Sequence, residues 1–359
     1  MTWKLTGRPL LRDVAESANV SVTTVSLVLN GKAGASIPGE TQARVQAAAR
    51  ELGYRPNFLA RGLRRRKSDT FGFISDEIAT TPFAGAMIQG AQDAAWEAGI
   101  VLLLVNTGRD RAIEARALEI MLERQVDAVI YATMYHQVID LPEAVRLQPA
   151  VLLDARAADE SLPSVVPDER GAATTAVERL IAAGHERIGF ITTSERVPAA
   201  IERLDSYRST LAAHGLGVDE RLIAQGPDGD TLSGEQAAFE LLDRPDRPSA
   251  VFCFNDRMAM GTYRAARKRG LRVPDDLSVV GFDNQEVIAP ALDPGLTTMA
   301  LPHYEMGRWA VEYLVRETSA SNAASPDGNH APGPRPAPVQ YRMPCQLVER
   351  ASVAQWRHA

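Results

Sequence analysis

Apolar residues between positions 11 and 30 recur at the three- and four-residue spacing of two short amphipathic helices. Asn19 lies between the two sets, where the turn needs a residue that tolerates the left-handed conformation, and Ser21 is placed to cap the second helix. The pattern predicts a helix-turn-helix whose second helix enters the major groove of DNA, with an ordinary core helix pair as the alternative. The two apolar sets are Leu11, Val14, Ala15 and Ala18, then Val22, Val25, Val28 and Leu29.

A third helix is predicted over residues 40–52, with Val45, Ala48, Ala49 and Leu52 facing inward and a glycine ending it at position 53. A short helix follows from position 56, which is marginal alone because it has two turns and contains a glycine. We expect it and the basic run at 64–67 to become ordered on DNA, with a solvated linker as the alternative. The predicted boundaries are a DNA-binding head at 1–55 and a hinge helix with a basic linker at 56–69.

From position 70 onward, short continuous apolar runs alternate with amphipathic segments, which is typical of an α/β domain with buried parallel strands. Residues 319–338 are rich in Ala, Ser, Pro, Gly and Asn without periodicity, and we expect a disordered insertion there before a final strand. Strands are predicted at 71–75, 100–105, 128–131, 150–153, 187–191, 250–254 and 278–282, with helices between most of them.

The charge distribution divides the chain more sharply than the net charge of −6 suggests. Residues 1–68 contain 12 Lys and Arg against 4 Asp and Glu, a charge of +8, which leaves −14 for the rest of the chain. A basic head on an acidic body is the electrostatic pattern of a DNA-binding domain joined to a domain with another role.

Several other functional classes find no support in the sequence. No run of about 18 apolar residues predicts a membrane span, and the first residues lack the apolar core of a signal peptide. Cys253 and Cys345 have no metal-ligand spacing, so we expect reduced core thiols of a cytoplasmic protein without a bound metal. Hydrolase, nucleotide-binding and zinc-protease motifs are absent, and neither an enzyme nor a cofactor is expected.

The chain resembles the LacI/GalR family of transcriptional regulators over about residues 10–355. The resemblance rests on Asp13-Val14-Ala15, Val20-Ser21, Thr24-Val25-Ser26 and Asn30-Gly31 in the head, and on Tyr54-Arg55-Pro56-Asn57, Ala60-Arg61 and Leu63 in the hinge. It implies that hinge helices of two subunits pair and insert Leu63 into the minor groove of an operator. The DNA-binding residues it implies are Arg12, Ser21, Val22, Thr23, Thr24, Ser26, Leu27, Asn30, Asn57, Arg61, Leu63 and Arg64.

Among these, Val22, Thr23 and Leu27 are the positions that the resemblance places opposite the bases. Val22 and Leu27 can contact thymine methyl groups, but they cannot form a bidentate bond with guanine. Leu27 departs from the arginine or histidine that family members often carry there, so the preferred base at this step is open.

The resemblance also implies a periplasmic-binding-protein-like effector domain at 70–359, with two lobes around a cleft and a role in dimerisation. The expected first lobe covers about 70–166 and 296–318, and the expected second lobe about 167–293 and 339–355. Ligands of open α/β sheets bind beyond the carboxyl ends of the strands, where polar residues follow several predicted strands. The family's effector-contacting positions match Phe83, Asp154, Arg203, Asn255 and Asp283.

Two further residues of the expected cleft are not among these effector-contacting positions. Gly229 stands near where many sugar-responsive members carry an aromatic side chain that packs on the sugar. Asp256 follows a strand directly, and we expect it to cap the next helix. The candidates to replace the missing aromatic surface are Phe83, Tyr135, His136 and Phe282, and the sequence leaves the choice among them open.

These features together predict a homodimeric repressor of carbohydrate-utilisation genes that binds a pseudo-palindromic operator and is released by a sugar or sugar derivative. A nucleoside- or purine-responsive regulator, or one that needs a corepressor, is the alternative within the same family. A periplasmic solute-binding protein is disfavoured because it would need a signal peptide and no basic head.

The basic head predicts a steep salt dependence of DNA binding. Lys and Arg side chains displace counterions from the phosphates, so the affinity of the protein for DNA falls as the salt concentration rises. We expect about a thousandfold loss of affinity between 50 and 200 mM salt for a dimer. Fluorescence anisotropy of a labelled duplex over a salt series measures the slope. A flat dependence would contradict the role assigned to the head.

Overall fold

The computed structural model describes residues 9–30, 37–55, 67–78, 85–323 and 337–356. The chain forms two compact units, Met1–Ser68 and Asp69–Ala359. Five of the predicted site residues lie outside the described residues, namely Asn57, Arg61, Leu63 and Arg64 of the hinge and Phe83.

The described part of the first unit contains three helices, α1 (Leu11–Ala18), α2 (Val22–Leu29) and α3 (Gly39–Glu51). Asn19 ends α1 in the left-handed region at φ 48° and ψ 54°, as its place in the sequence predicts. The Thr24 backbone N–H donates to Ser21 Oγ at 3.1 Å, so Ser21 caps α2. The core of the unit comprises Val14, Ala15, Ala18, Val25, Val28, Val45, Ala48 and Ala49, whereas Leu52, expected inside, is exposed.

The second unit contains two six-stranded sheets, each covered by helices on both faces, as the alternating apolar runs predict. The first sheet has the strand order β11-β5-β4-β3-β1-β2, and all of its neighbouring strands are parallel. Its strands are β1 (Thr70–Ser75), β2 (Val101–Asn106), β3 (Ala128–Ile139), β4 (Ala150–Ala157), β5 (Ser164–Pro167) and β11 (Gln340–Met343).

The second sheet has the order β12-β10-β9-β8-β6-β7, in which only the β10–β12 pair is antiparallel. Its strands are β6 (Ile188–Thr193), β7 (Ile223–Gly226), β8 (Ala250–Cys253), β9 (Ser278–Asp283), β10 (Thr297–Ala300) and β12 (Gln346–Val348). The helices of this unit are α4 (Gly85–Glu97), α5 (Arg111–Glu123), α6 (Glu143–Arg146), α7 (Glu169–Ala182), α8 (Pro198–Ala213), α9 (Thr231–Leu242), α10 (Asp256–Lys268) and α11 (His303–Ala323), with a 3₁₀ turn at Glu220–Leu222.

The chain passes between the two sheets at three places, and this changes the expected lobe boundaries. β10 pairs with β9 in the second sheet, although residues 296–318 were expected in the first lobe. β11 pairs with β5 in the first sheet, although residues 339–355 were expected in the second lobe. Both corrections have one cause: hydrogen bonding to a strand distant in sequence decides the lobe, and a four-residue strand carries no local sign of that partner.

Helix α11 is longer than the composition of its last turns suggests. It continues through Ala323, so the first residues of the predicted insertion at 319–338 are helical, and Gln340 already begins β11. In the described part of the chain, no helix is both long and apolar enough to cross a membrane.

Candidate functional site

The outward face of α2 carries the three residues expected opposite bases. Val22 is 45% exposed and Leu27 is 37% exposed, and Thr23 is exposed beside them, while Val25 and Val28 are buried on the opposite face. The helix therefore presents a small, largely apolar surface that suits contact with thymine methyl groups.

Other predicted DNA-binding residues hold the ends of α2 in this structure. Ser21 Oγ accepts from the Thr24 N–H and lies 2.9 Å from Thr24 Oγ1. At the other end, Asn30 Nδ2 donates to the Ser26 carbonyl at 2.6 Å. Arg12 projects from α1 and is exposed, with its Nε 3.5 Å from Asp13 Oδ1.

A cavity of about 240 Å³ lies between the two sheets, at the carboxyl ends of β8 and β9 and at the irregular middle of the β3–β4 pair, where the register shifts between Ala132 and Gln137. It is lined by four predicted effector residues, Asp154 from the first lobe and Arg203, Asn255 and Asp283 from the second. The structure thus brings together four side chains that are up to 129 positions apart in the chain, from Asp154 to Asp283. This is the position at which open α/β sheets bind ligands.

Arg203 is the most constrained of these four side chains and is only 3% exposed. Its Nε donates to Glu169 Oε2 at 2.6 Å, and Nη1 donates to the Phe254 carbonyl and lies 4.0 Å from Asp283 Oδ1. The guanidinium lies 3.5 Å above the centre of the Phe282 ring. These contacts hold the guanidinium plane in one orientation at the cavity wall.

Asn255, not Asp256, caps α10, which corrects the expectation from sequence. Asn255 Oδ1 accepts from the Met258 N–H at 2.8 Å, and its Nδ2 donates to the Gly229 carbonyl at 2.9 Å. Asp256 instead points into the domain, where it accepts from the Gln285 N–H and from Thr298 Oγ1, both at 2.6 Å. Adjacent polar residues after a strand point in different directions, and only the tertiary contacts decide which one caps.

Two buried groups of the first lobe face the cavity without a hydrogen-bond partner for some of their polar atoms. Asp154, 2% exposed and at φ 55°, has no partner for Oδ1 among the described residues. His136, also 2% exposed, has none for either ring nitrogen within the same described part of the chain. Burial lowers the pKa of His136 to about 4, so the ring is neutral at pH 7. Unpaired buried polar atoms beside a cavity need a hydrogen-bond partner, which a ligand or a water molecule that enters can supply.

The aromatic surface of the cavity comes from Tyr135 and Phe254, with His136 beside them. Phe282 is buried beneath Arg203 and does not line the cavity. Phe254 escaped the sequence analysis because it ends an apolar strand run and resembles a core residue. At Gly229 a Cβ would lie 2.9 Å from Asn255 Nδ2, so a side chain there requires the Asn255 amide to move.

The lobes are joined beside the cavity by a bidentate ion pair. Arg342 of β11 donates to both carboxylate oxygens of Glu202 of α8, at 2.7 and 2.9 Å. This contact links the first sheet to a helix of the second lobe, so relative movement of the lobes must stretch or break it.

The family models match both units of the chain. The model for bacterial regulatory proteins of the lacI family matches residues 10–57, and that for a periplasmic binding protein-like domain matches residues 177–353. The sequence is 34% identical over 343 residues to the HTH-type transcriptional repressor CytR of Escherichia coli strain K12, which covers 95% of each chain. The chain belongs to the lacI family. It is therefore a DNA-binding transcriptional repressor, and its relatives are transcriptional regulators.

Solved structures of lacI-family regulators share the fold over nearly the whole chain. The Lac repressor dimer bound to operator and an anti-inducer superposes with a TM-score of 0.77 at 25% identity, covering 97% of this chain and all of that one. The regulator CelR in complex with cellobiose superposes with a TM-score of 0.66 at 31% identity, covering 96% of this chain and all of that one.

The carboxylate of Asp283 predicts a specific pH dependence of stability. Burial raises the pKa of Asp283 above its ordinary value, with Arg203 opposing the shift. The folded state therefore favours the protonated carboxyl, so its stabilising contribution is present at low pH and is lost as the pH rises toward neutrality. We expect Asp283→Asn to stabilise the unliganded protein at pH 7 by on the order of 1 kcal/mol, with a smaller gain at pH 4.

Urea unfolding of the wild type and Asp283→Asn at pH 4, 5.5 and 7 measures this difference. Taking the difference between the two proteins removes the contribution of other titrating groups common to both. An equal free-energy difference at all three pH values would contradict the raised pKa.

Proposed function

We propose that this protein represses carbohydrate-utilisation genes in the cytoplasm and leaves its operator when a sugar or sugar derivative binds the cavity between the lobes. The observation that supports the proposal most directly is the meeting of Asp154, from the first lobe, with Arg203 and Asp283, from the second, around one cavity. Carboxylate and guanidinium groups bind vicinal hydroxyl groups well because each hydroxyl both donates and accepts. A ligand bonded to both sides favours a closer approach of the lobes.

On the DNA side, we propose that two heads of a homodimer bind a pseudo-palindromic operator through Val22, Thr23 and Leu27. The similarity to the Lac repressor dimer bound to operator supports this arrangement. The complex of CelR with cellobiose supports a carbohydrate as the ligand of the cavity.

A nucleoside is the second candidate effector, and the aromatic rings at the cavity favour it. Tyr135 and Phe254 both line the cavity, and planar bases stack on such rings. A ligand that strengthens operator binding, as a corepressor does, would use the same cavity with the opposite effect on the lobes.

Release from the operator tests this proposal directly. Fluorescence anisotropy measures binding of the protein to its own upstream DNA, with and without a panel of sugars and nucleosides. We expect one sugar to weaken operator binding about tenfold to a hundredfold, which is the usual range of allosteric coupling. Asp283→Ala is expected to remove this response, because it deletes a cavity carboxylate, while the operator is still bound without ligand. Release by nucleosides alone, or tighter binding with a sugar, would contradict the sugar-induction mechanism.

The hinge residue implied by the family resemblance gives a second test. A leucine inserted at the operator centre stabilises only the kinked specific complex, so Leu63→Ala should weaken operator binding about a hundredfold. Binding to a random duplex, which depends on phosphate contacts, should change less than about threefold. Anisotropy titrations with both duplexes measure the ratio, and equal losses would argue against insertion of this side chain.

A further inference from the structure

The cavity between the lobes has an acidic lining. Among the described residues around it, carboxylates outnumber guanidinium groups by six to three. The carboxylates belong to Asp154, Glu169, Glu195, Asp228, Asp230 and Asp283. Two of them, Asp154 and Asp283, are largely buried, where water screens charge weakly, and burial raises the pKa of both carboxyls. An anion beside them would raise both pKa values further, so its binding near neutral pH would require the carboxyls to take up protons.

Two of the three guanidinium groups form ion pairs with carboxylates, and the third lies near two carboxylates. Arg203 donates to Glu169 at 2.6 Å, and Arg109 Nη2 lies 3.2 Å from Glu77 Oε2. Arg257 is attracted electrostatically to both Asp230 and Asp283. An anionic ligand would have to compete with these carboxylates for every cation at the cavity.

The helix ends that could bind a phosphate are also occupied. The first turns of α7, α9 and α10 are capped by the side chains of Asp168, Asp230 and Asn255. α8 has no side-chain cap, but it begins at Pro198, which has no N–H, and Glu195 lines the cavity three residues earlier. The positive ends of these helices therefore offer few open N–H groups to an anion.

The groups that remain open suit hydroxyl groups. Asp154 Oδ1 is an unpaired acceptor, and His136, which carries no charge at pH 7, has one ring N–H and one ring acceptor without partners in the described chain. One hydroxyl group of a ligand can donate to Asp154, and the adjacent hydroxyl group can form a hydrogen bond with His136. A phosphate dianion can accept from the His136 N–H, but it has no proton to donate to Asp154.

We propose that the cavity selects an uncharged ligand with adjacent hydroxyl groups over the phosphate ester of the same ligand, and that Asp154 contributes most to this selection. The inference rests on the proposed effector role of the cavity. It predicts that charged sugar derivatives bind more weakly than uncharged ones, because like charges in a partly buried site reduce affinity by about a hundredfold or more.

Isothermal titration calorimetry of the full-length protein with matched pairs tests the selection. The pairs are glucose and glucose 6-phosphate, ribose and ribose 5-phosphate, and cytidine and cytidine 5′-monophosphate, with inorganic phosphate added as a simple anion. We expect the uncharged member of any binding pair to bind at least about a hundredfold more tightly than its ester. Inorganic phosphate should give no saturable heat. The phosphate titration therefore tests whether the cavity excludes anions, whichever sugar the protein prefers.

Asp154→Asn tests the assignment to one residue. Asparagine keeps the shape and tolerates the left-handed backbone at φ 55°, so the variant removes mainly the ionisable carboxyl. We expect the preference over the ester to fall about tenfold. Asp159→Asn, which neutralises an exposed carboxylate of the same lobe, should leave the preference unchanged. Asp283→Asn is a second cavity variant, and we expect it also to reduce the preference for the uncharged ligand over its ester.

Three results would overturn the inference. They are an ester that binds as tightly as its uncharged partner, saturable binding of inorganic phosphate that Arg257→Gln removes, and cavity variants that weaken both members of a pair equally. Operator release measured on the same samples separates the two proposals. If an ester binds and releases the operator, effector-controlled repression stands and charge selection fails. If an uncharged ligand binds without changing operator affinity, charge selection stands and the proposed function fails.

Discussion

The buried ion pair between Arg203 and Glu169 is the interaction on which the geometry of the cavity depends. Removing two charges from water is costly, and here the cost is offset by a 2.6 Å hydrogen bond, the Phe254 carbonyl and the Phe282 ring. The same contacts join the starts of α7 and α8 to the ends of β8 and β9. The second-lobe wall of the cavity is therefore rigid before any ligand arrives, which reduces the ordering cost of binding.

The first-lobe wall has the opposite character. Asp154 and His136 are buried where the pairing of β3 and β4 is irregular, yet some of their polar atoms lack partners among the described residues. Such groups lower the stability of the unliganded protein and are retained where they serve binding. A ligand that bonds to both walls would stabilise whichever arrangement of the lobes lets it contact both, and such a difference in contacts is what a population shift requires.

The two units differ in charge, and this difference favours different binding partners. The head, with its charge of +8, attracts DNA of any sequence, and the exposed apolar residues Val22 and Leu27 on α2 would, in the proposed arrangement, add a preference for particular bases. The body, with its charge of −14, gains nothing from phosphates and surrounds its cavity with carboxylates. The opposite charges of the two units favour contact of a polyanion with the head and disfavour contact with the body.

The sequence by itself determined the local elements: the helix pair with Asn19 at its turn, the Ser21 cap and the longer strands all follow from spacing and capping chemistry within a few residues. It also indicated Asp154, Asn255 and Asp283 as polar residues after predicted strands, and the family resemblance added Arg203. Only the tertiary structure decided that β10 and β11 lie in exchanged lobes, that Asn255 caps α10, and that Phe254 faces the cavity. These depend on partners far away in sequence, and a four-residue strand or a single side chain has no periodicity that reveals such a partner.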